Sequence, residues 1–164
     1  MKTKLNPIKR DSSIEKLTPL IETIWREVFP PVIGNEQTEY MLKHYQSPDN
    51  IRSEIANGTE YYFIEDGERH IGYLAYEIKD DYLFVSKIYL LSSERSKGIA
   101  SEIFEWIEKQ ARTNNKNCLR LRVNRGNTQA IEVYLHKGFI ITHTEVNDIG
   151  EGFAMDDYYL EKQL

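Results

Sequence analysis

The chain reads as a single α+β domain, with helices flanking a mixed, mostly antiparallel central β-sheet, and three observations carry that expectation. Up to Ala56 the apolar residues recur at helical spacing. From Glu60 the period becomes that of strands: runs over 61–65, 71–78 and 83–91 are rich in β-branched and aromatic residues. Tight turns at Asp66-Gly67-Glu68 and Asp80-Asp81 separate them, which reads as an antiparallel meander. Beyond it, a strand, an amphipathic helix and a further strand between Leu83 and Val123 fit a parallel βαβ crossover grafted onto the meander.

In chain order, residues 4–9 form a short edge strand with Leu5 and Ile8 as its apolar members and Pro7 confining it to an edge. Asp11, Ser12 and Ser13 offer N-cap oxygens to a helix carrying Ile14, Leu17, Leu20, Ile21, Ile24, Trp25 and Val28, and Pro19 is expected to kink or restart it. Residues 29–34 are a short apolar break that packs against something. A second helix spans 36–45, closed by Ser47-Pro48, and Asp49 caps a third over 51–56, ended by Asn57-Gly58.

After the meander, apolar residues at Ile99, Ile103, Trp106, Ile107 and Ala111 mark a helix, and 114–117 a loop. A strand over 118–123 sets Leu119, Leu121 and Val123 on one face against Arg120 and Arg122 on the other. Asn127 caps a helix through Ala130, Ile131, Val133, Tyr134 and Leu135, with Gly138 as its stop. Residues 139–146 and 155–160 are the last strands. Neither a repeat nor a composition shift divides the chain, so 1–164 is read as one domain.

Composition narrows the partners. A formal net charge of −5 lacks the basic footprint of a nucleic-acid binder, and no stretch approaches the length of a membrane span. Cys118 is the sole cysteine and His44, His70, His136 and His143 lack metal-ligand spacing, so neither a disulfide nor a metal site is expected. With one cysteine and a basic N-terminal stretch lacking the apolar run of a signal peptide, the expected location is the cytoplasm.

Between the third meander strand and the following helix stands Arg95-Ser96-Lys97-Gly98-Ile99-Ala100. The first turn of a helix leaves backbone N–H groups unpaired and carries partial positive charge, so a basic turn in this place is an anion cradle.

These residues identify the chain as resembling the GNAT N-acetyltransferase superfamily. The turn satisfies that family's [QR]-x-x-G-x-[GA] pattern after a strand, and Asn127, Ala130, Tyr134, Gly138 and Phe139 match its second block. Ser96 and Ala100 stand where glycines are frequent, and Ser96 is expected to keep an ordinary backbone conformation. Ser86 and Lys87 stand where many members carry a glutamate on the strand before the turn. A narrower likeness, to bacterial polyamine acetyltransferases, rests on Glu36-Gln37 leading into Tyr40-Met41-Leu42 and on the segment from Asp148 to Tyr158.

The resemblance implies a GNAT-like fold and direct acetyl transfer from acetyl-CoA to a small-molecule amine, with a polyamine as the narrower expectation, no metal, and a homodimer left open. The amides of Ser96, Lys97, Gly98, Ile99, Ala100 and Ser101 would hold the CoA pyrophosphate, with charge from Arg95 and Lys97. Tyr89, Leu90 and Leu91 would meet the pantetheine arm through their main chain, Asn127 would bond it from the opposite side, and Tyr134 would be the general acid. An alkylamine of pKa about 10.4 must lose a proton before it attacks. The candidates to take it are Glu65 and Glu77 on the meander, Asp156 and Asp157 on the last strand, or a chain of waters; Glu77, Asp156 and Asp157 also serve as candidate contacts to the acceptor. Trp25, Tyr40 and Tyr45 belong to the core or the acceptor pocket. Two alternatives stand beside this reading: an acetyltransferase of protein N-termini or lysines, and a non-catalytic acyl-CoA-binding regulator.

Overall fold

A computed structural model describes residues 3–164 as one seven-stranded sheet with helices on both faces. Strand β1 (Thr3–Pro7) leads to helices α1 (Asp11–Val28), α2 (Pro30–Ile33), α3 (Asn35–His44) and α4 (Pro48–Ala56). The meander follows as β2 (Glu60–Asp66), β3 (Arg69–Ile78) and β4 (Leu83–Leu90), and a 3-10 turn over Ser92–Glu94 leads into α5 (Ile99–Thr113). Then come β5 (Cys118–Asn124), α6 (Thr128–His136), β6 (Ile140–Gly150) and β7 (Phe153–Gln163). The sheet order is β1-β2-β3-β4-β5-β7-β6.

Two apolar layers hold this together. Ile14, Leu17, Ile21, Trp25 and Ile51 of the first helices pack on Tyr61, Phe63, Tyr73 and Ala75 of the meander. On the opposite face Ile99, Ile103, Phe104, Ile107 and Ala111 of α5 pack on Ile64, Leu74, Leu83, Leu119 and Leu160. Strand alternation divides β2 between the two layers, with Tyr61 and Phe63 in one and Ile64 in the other.

Several local expectations are corrected. Helix α1 begins at Asp11 itself; Arg10 is its N-cap and no side chain caps it. Pro19 does not end α1, whose apolar stripe of Ile14, Leu17, Ile21, Ile24 and Trp25 is buried on both sides of the proline. The cap of α4 is Ser47, whose Oγ accepts from the Asn50 amide at 3.2 Å, while Asp49 pairs with Arg52 at 2.7 Å. Strands β6 and β7 extend well beyond 139–146 and 155–160, because the hairpin continues through polar residues to its tip at Glu151 and Gly152.

The expected parallel crossover is present but brief: β4 and β5 pair only at Leu83↔Leu119, Phe84↔Arg120 and Val85↔Leu121. Beyond Val85 they part. The register of β4 on β3 shifts here, with Lys87 opposite Ala75 but Val85 opposite Tyr76, so Ser86 is the extra residue of a β-bulge. A bulge bends its strand and strengthens its twist. The C-terminal half of β4 thereby swings away from β5, and a cleft opens between them.

Ile107 is fully buried between α5 and the sheet. Ile107→Ala is expected to lower unfolding free energy by about 2–5 kcal/mol. Urea denaturation with an unchanged slope checks this, and a loss below about 1 kcal/mol would contradict the packing described.

Candidate active site

Three cavities run in series along this cleft. The first, about 160 Å³, lies between α1, α3 and α4 and the parted strands, and its wall includes Trp25, Met41, Glu54, Lys87, Arg122 and Asp157. The second, about 430 Å³, shares Ile88, Tyr89, Asn127 and Tyr134 with the first. The third, about 520 Å³, shares Leu90, Arg95, Ala100, Gln129 and Val133 with the second and reaches the N-terminus of α5. The result is a continuous path from the mouth of α5 to an inner chamber.

At the outer end, Gly98 (φ +79°) is the N-cap of α5, with no side chain capping the helix. Among the described residues, none of the amides of Ser96, Lys97, Gly98, Ile99, Ala100 and Ser101 donates a hydrogen bond to the chain. Arg95 lines this end, as does Lys137, whose ammonium reaches Ser101 Oγ. Unpaired amides with two cations beside them suit a diphosphate. Lys97 is turned aside: its Nζ lies 3.3 Å from the buried Glu94 carboxylate, which also holds Arg69 at 2.9 Å. Burial pushes the Glu94 carboxyl up, but its bonds from Lys97 and Arg69 prevail and hold it below the usual range.

One expectation about this turn fails. Ser96 has φ +62°, in the left-handed region, rather than an ordinary conformation. This backbone carries the chain from the 3-10 turn to Gly98 at the head of α5, and a side chain in the left-handed region costs about 1–2 kcal/mol.

The middle of the path is set by main-chain direction. The Leu91 amide donates to Ile71 O at 2.9 Å, toward β3. Alternation along an antiparallel strand then turns the amides of Tyr89 and Lys87 toward β3 as well, and those of Leu90 and Ile88 toward the cleft. Of the three expected main-chain contacts only Leu90 is free; Ile88, which sequence reasoning missed, is the second, and Leu91 lines none of the three cavities. Asn127 is a helix cap, accepting from the Ala130 amide at 3.4 Å, and it lines the path too, with its NH₂ left free.

Where the first two cavities meet, the Tyr134 ring stands edge-on to Phe104 and Phe139, with centroids 5.9 and 6.0 Å away. Its hydroxyl makes no hydrogen bond among the described residues, and burial pushes its pKa up to about 12, so at neutral pH it is a donor with its proton in place. Tyr89 stands across from it, packed on Trp25, Phe29 and Tyr73. Its pKa is raised by burial and by the Tyr134 and Asp157 oxygens.

The inner chamber holds the carboxylates. Asp157 is 1% exposed and, among the described residues, neither of its oxygens has a hydrogen-bond partner. An ionised carboxylate so placed is costly, and burial raises its pKa, with Asp156 adding to the rise and Arg122 opposing it. Glu54 is engaged: its Oε1 accepts from Tyr61 Oη at 2.6 Å and from Lys87 Nζ at 2.8 Å. Lys87 is itself buried and bonds Tyr61 as well, so the place where the family often has a glutamate holds an ammonium. Burial lowers the Lys87 pKa, against the pull of Glu54.

The remaining candidates lie elsewhere. Asp156 points to the other face of β7, 3.7 Å from Arg125. Glu77 pairs with Lys79 at 3.4 Å, and Glu65 bonds Asn6 and His70; none of the three lines any of the cavities. Tyr40 and Tyr45 both donate to Ile149 O, at 2.5 and 3.1 Å, and Gln37 donates to Ala154 O at 2.8 Å. These bonds clamp α3 onto the β6–β7 hairpin and roof the inner chamber. Gly150 (φ +101°) permits this, since a Cβ there would lie 2.5 Å from Tyr40 Oη.

A mixed sheet split beside a bulge, with an anion cradle at one end of the split and an inner chamber at the other, defines an acyl-CoA N-acyltransferase fold. The chain belongs to the acetyltransferase (GNAT) family, whose model matches residues 19–139, and by that membership it is an acetyl-CoA-dependent N-acetyltransferase. It is 28% identical over 163 residues to an uncharacterised N-acetyltransferase encoded in the pepI 3′ region of Lactobacillus delbrueckii subsp. lactis, covering 92% of this chain and 94% of that one. It superposes on the PaiA N-acetyltransferase of Thermoplasma acidophilum in complex with coenzyme A with a TM-score of 0.83, 18% identity and 100% of both chains covered. A chimera of the Vibrio cholerae spermidine N-acetyltransferase SpeG with hSSAT aligns with a TM-score of 0.69 and 16% identity, over 99% of this chain and 96% of that one. Among the described residues, no helix is long and apolar enough to cross a membrane and no group of three His, Cys, Asp or Glu side chains is placed to hold a metal ion.

Ser96→Gly is expected to raise thermal stability by up to about 1 kcal/mol, since relief of the left-handed strain outweighs the added unfolded-state entropy of a glycine. It should keep acetyl-CoA affinity within about twofold, as the amides stay in place. Melting with and without acetyl-CoA checks both; a destabilised variant would contradict the assigned turn.

Proposed function

We propose that the chain transfers the acetyl group of acetyl-CoA to the primary amine of a small molecule held in the inner chamber, with Asp157 taking the proton from the acceptor ammonium and Tyr134 acting as general acid. The observation that carries this reading is Asp157, a buried carboxylate with both oxygens free on the wall of a roofed cavity.

Acetyl-CoA, when bound, supplies an acetyl group activated as a thioester. The residues fit it: the amides of residues 96–101 with Arg95 and Lys137 suit the pyrophosphate, and the free main chain of Ile88 and Leu90 with Asn127 suits the pantetheine arm. At the junction, the Tyr134 hydroxyl keeps its proton at neutral pH and would give it to the departing thiolate. Asp157 accepts a proton from an alkylammonium better than an ordinary carboxylate does, because burial has raised its basicity. Against a solvent water chain, this assigns the base to a residue.

The roof made by α3 and the β6–β7 hairpin, over a chamber of about 160 Å³, favours a small acceptor over a peptide. A polyamine is the acceptor class that the resemblance and the spermidine acetyltransferase neighbour bring forward, and it belongs in the first panel tested.

Release of CoA thiol with a panel of polyamines, amino acids, aminoglycosides and peptides tests the reaction; no release with any acceptor would contradict it. Tyr134→Phe is expected to lower kcat by about 10²-fold or more while sparing acetyl-CoA affinity. Unchanged turnover would remove Tyr134 from the mechanism. Asp157→Asn should remove the acidic limb of the pH–rate profile, which lies above the ordinary carboxylate range. The same variant should be more stable than the parent at neutral pH. A carboxyl with a raised folded-state pKa favours folding below its unfolded pKa and loses that contribution as pH rises through the folded value, so removing it helps above that window and has no effect below it. A destabilised Asp157→Asn protein at neutral pH would show that the carboxylate has partners.

A further inference from the structure

Nine arginines stand in the chain, and six of them, at positions 26, 52, 69, 112, 120 and 125, lie within 4.0 Å of a carboxylate oxygen. Among the described residues Arg10, Arg95 and Arg122 have no such partner. Arg10 is exposed at the start of α1 and lines none of the three cavities. Arg95 lines the donor path, where an anion is due. Arg122 is an exposed residue on the wall of the inner chamber, and among the described residues the only hydrogen bond of its guanidinium runs from Nη1 to Tyr159 Oη at 3.4 Å, near the long limit.

The sheet register fixes its relation to Asp157. Arg122 is opposite Tyr159 and Asn124 is opposite Asp157, so strand alternation puts Arg122, Asn124, Asp157 and Tyr159 on one face, with Arg122 and Asp157 at diagonal positions. Diagonal neighbours on antiparallel strands lie about 7–8 Å apart at the backbone. A carboxylate and a guanidinium, neither within 4.0 Å of an opposite charge among the described residues, therefore share one wall of the chamber. Glu54 adds no free charge, since Lys87 and Tyr61 engage it.

Resting on the acetyltransferase reading above, we infer that the acceptor is a zwitterion of the amino-acid type, its ammonium facing Asp157 and its carboxylate held by the Arg122 guanidinium. The planar fork of an arginine matches a carboxylate with two parallel N–H···O bonds. A diamine of the same length would instead set its second ammonium against Arg122, and a longer one would meet Lys87 on the same wall. Arg122 is in this account a specificity-determining residue that touches the acceptor and takes no part in the proton transfers.

The test compares matched pairs on the full chain with acetyl-CoA: an amino acid and the amine left by its decarboxylation, lysine with 1,5-diaminopentane for one, and spermidine alongside. Thiol release is expected to favour the amino acid by about tenfold or more in kcat/KM, mostly through KM. Arg122→Gln should collapse that preference toward unity, and Arg122→Lys should restore part of it. Binding is read separately, as the rise in melting temperature caused by lysine with CoA present, which should be lost in Arg122→Gln. Equal slowing of both members of each pair by Arg122→Gln would overturn the inference by showing that Arg122 merely balances the Asp157 charge. Preference for spermidine or the diamine would overturn it as well. If lysine stabilises the CoA complex through Arg122 but no thiol is released, the zwitterion site stands and the reaction reading fails.

Discussion

The parting of β4 from β5 is the constraint on which the rest of this molecule depends. Three residue pairs hold the two strands together, and then one extra residue, Ser86, bends β4 out of register. Were the ladder to continue, the polar groups of Ile88 and Leu90 would be satisfied by β5 and there would be no room between the strands. Because it stops, a run of half-buried main chain is left without a strand partner, and its polar groups face the cleft, where a ligand can pair with them. The N-terminus of α5, where six successive amides are also unpaired among the described residues, lies along the same path. One geometric event thus aligns two sets of unsatisfied donors for a single elongated donor molecule.

The polar residues of the inner chamber divide into satisfied and unsatisfied sets. Lys87, Glu54 and Tyr61 form a partly buried network tying α4 to the sheet, and Trp25 Nε1 donates to Tyr73 Oη at 2.8 Å within the same layer. These groups rigidify the wall. Among the described residues Asp157 and the hydroxyls of Tyr89 and Tyr134 have no hydrogen-bond partner, against the general rule that buried polar groups are paired, and the exposed Arg122 has one long bond. That contrast locates chemistry within a cavity whose outline alone would not distinguish wall from working group. It also implies a cost in stability that the two apolar layers offset.

What could be read from the chain alone was whatever is local. The turn from Arg95 to Ala100 has its strand before it and its helix after it, and Asn127, Tyr134 and Gly138 lie within one helix and its stops, so spacing sufficed. The strand periods of the meander were equally legible. Three things were not. The insertion of β7 between β5 and β6 is a long-range pairing, and without it nothing sets Asp157 beside Asn124 or Arg122 near Asp157. Lys137 reaches the cradle only through the packing of α6 against α5. The positive φ of Ser96 came as a correction because serine gives no local signal of it, whereas a glycine would have. Asp156 and Asp157 were equivalent in sequence, and alternation along β7 separates them, one toward Arg125 and one into the chamber.

Hydrogen–deuterium exchange of the full chain, with and without CoA, tests the central claim most directly, since it reads the individual amides on which the account rests. Added CoA should slow exchange at residues 96–101 and at Ile88 and Leu90, and should leave Tyr89 and Leu91 little changed because β3 already protects them. Slowing confined to other segments, with the amides at the head of α5 and along β4 unaffected, would contradict the assignment of the split sheet as the place where the donor is held.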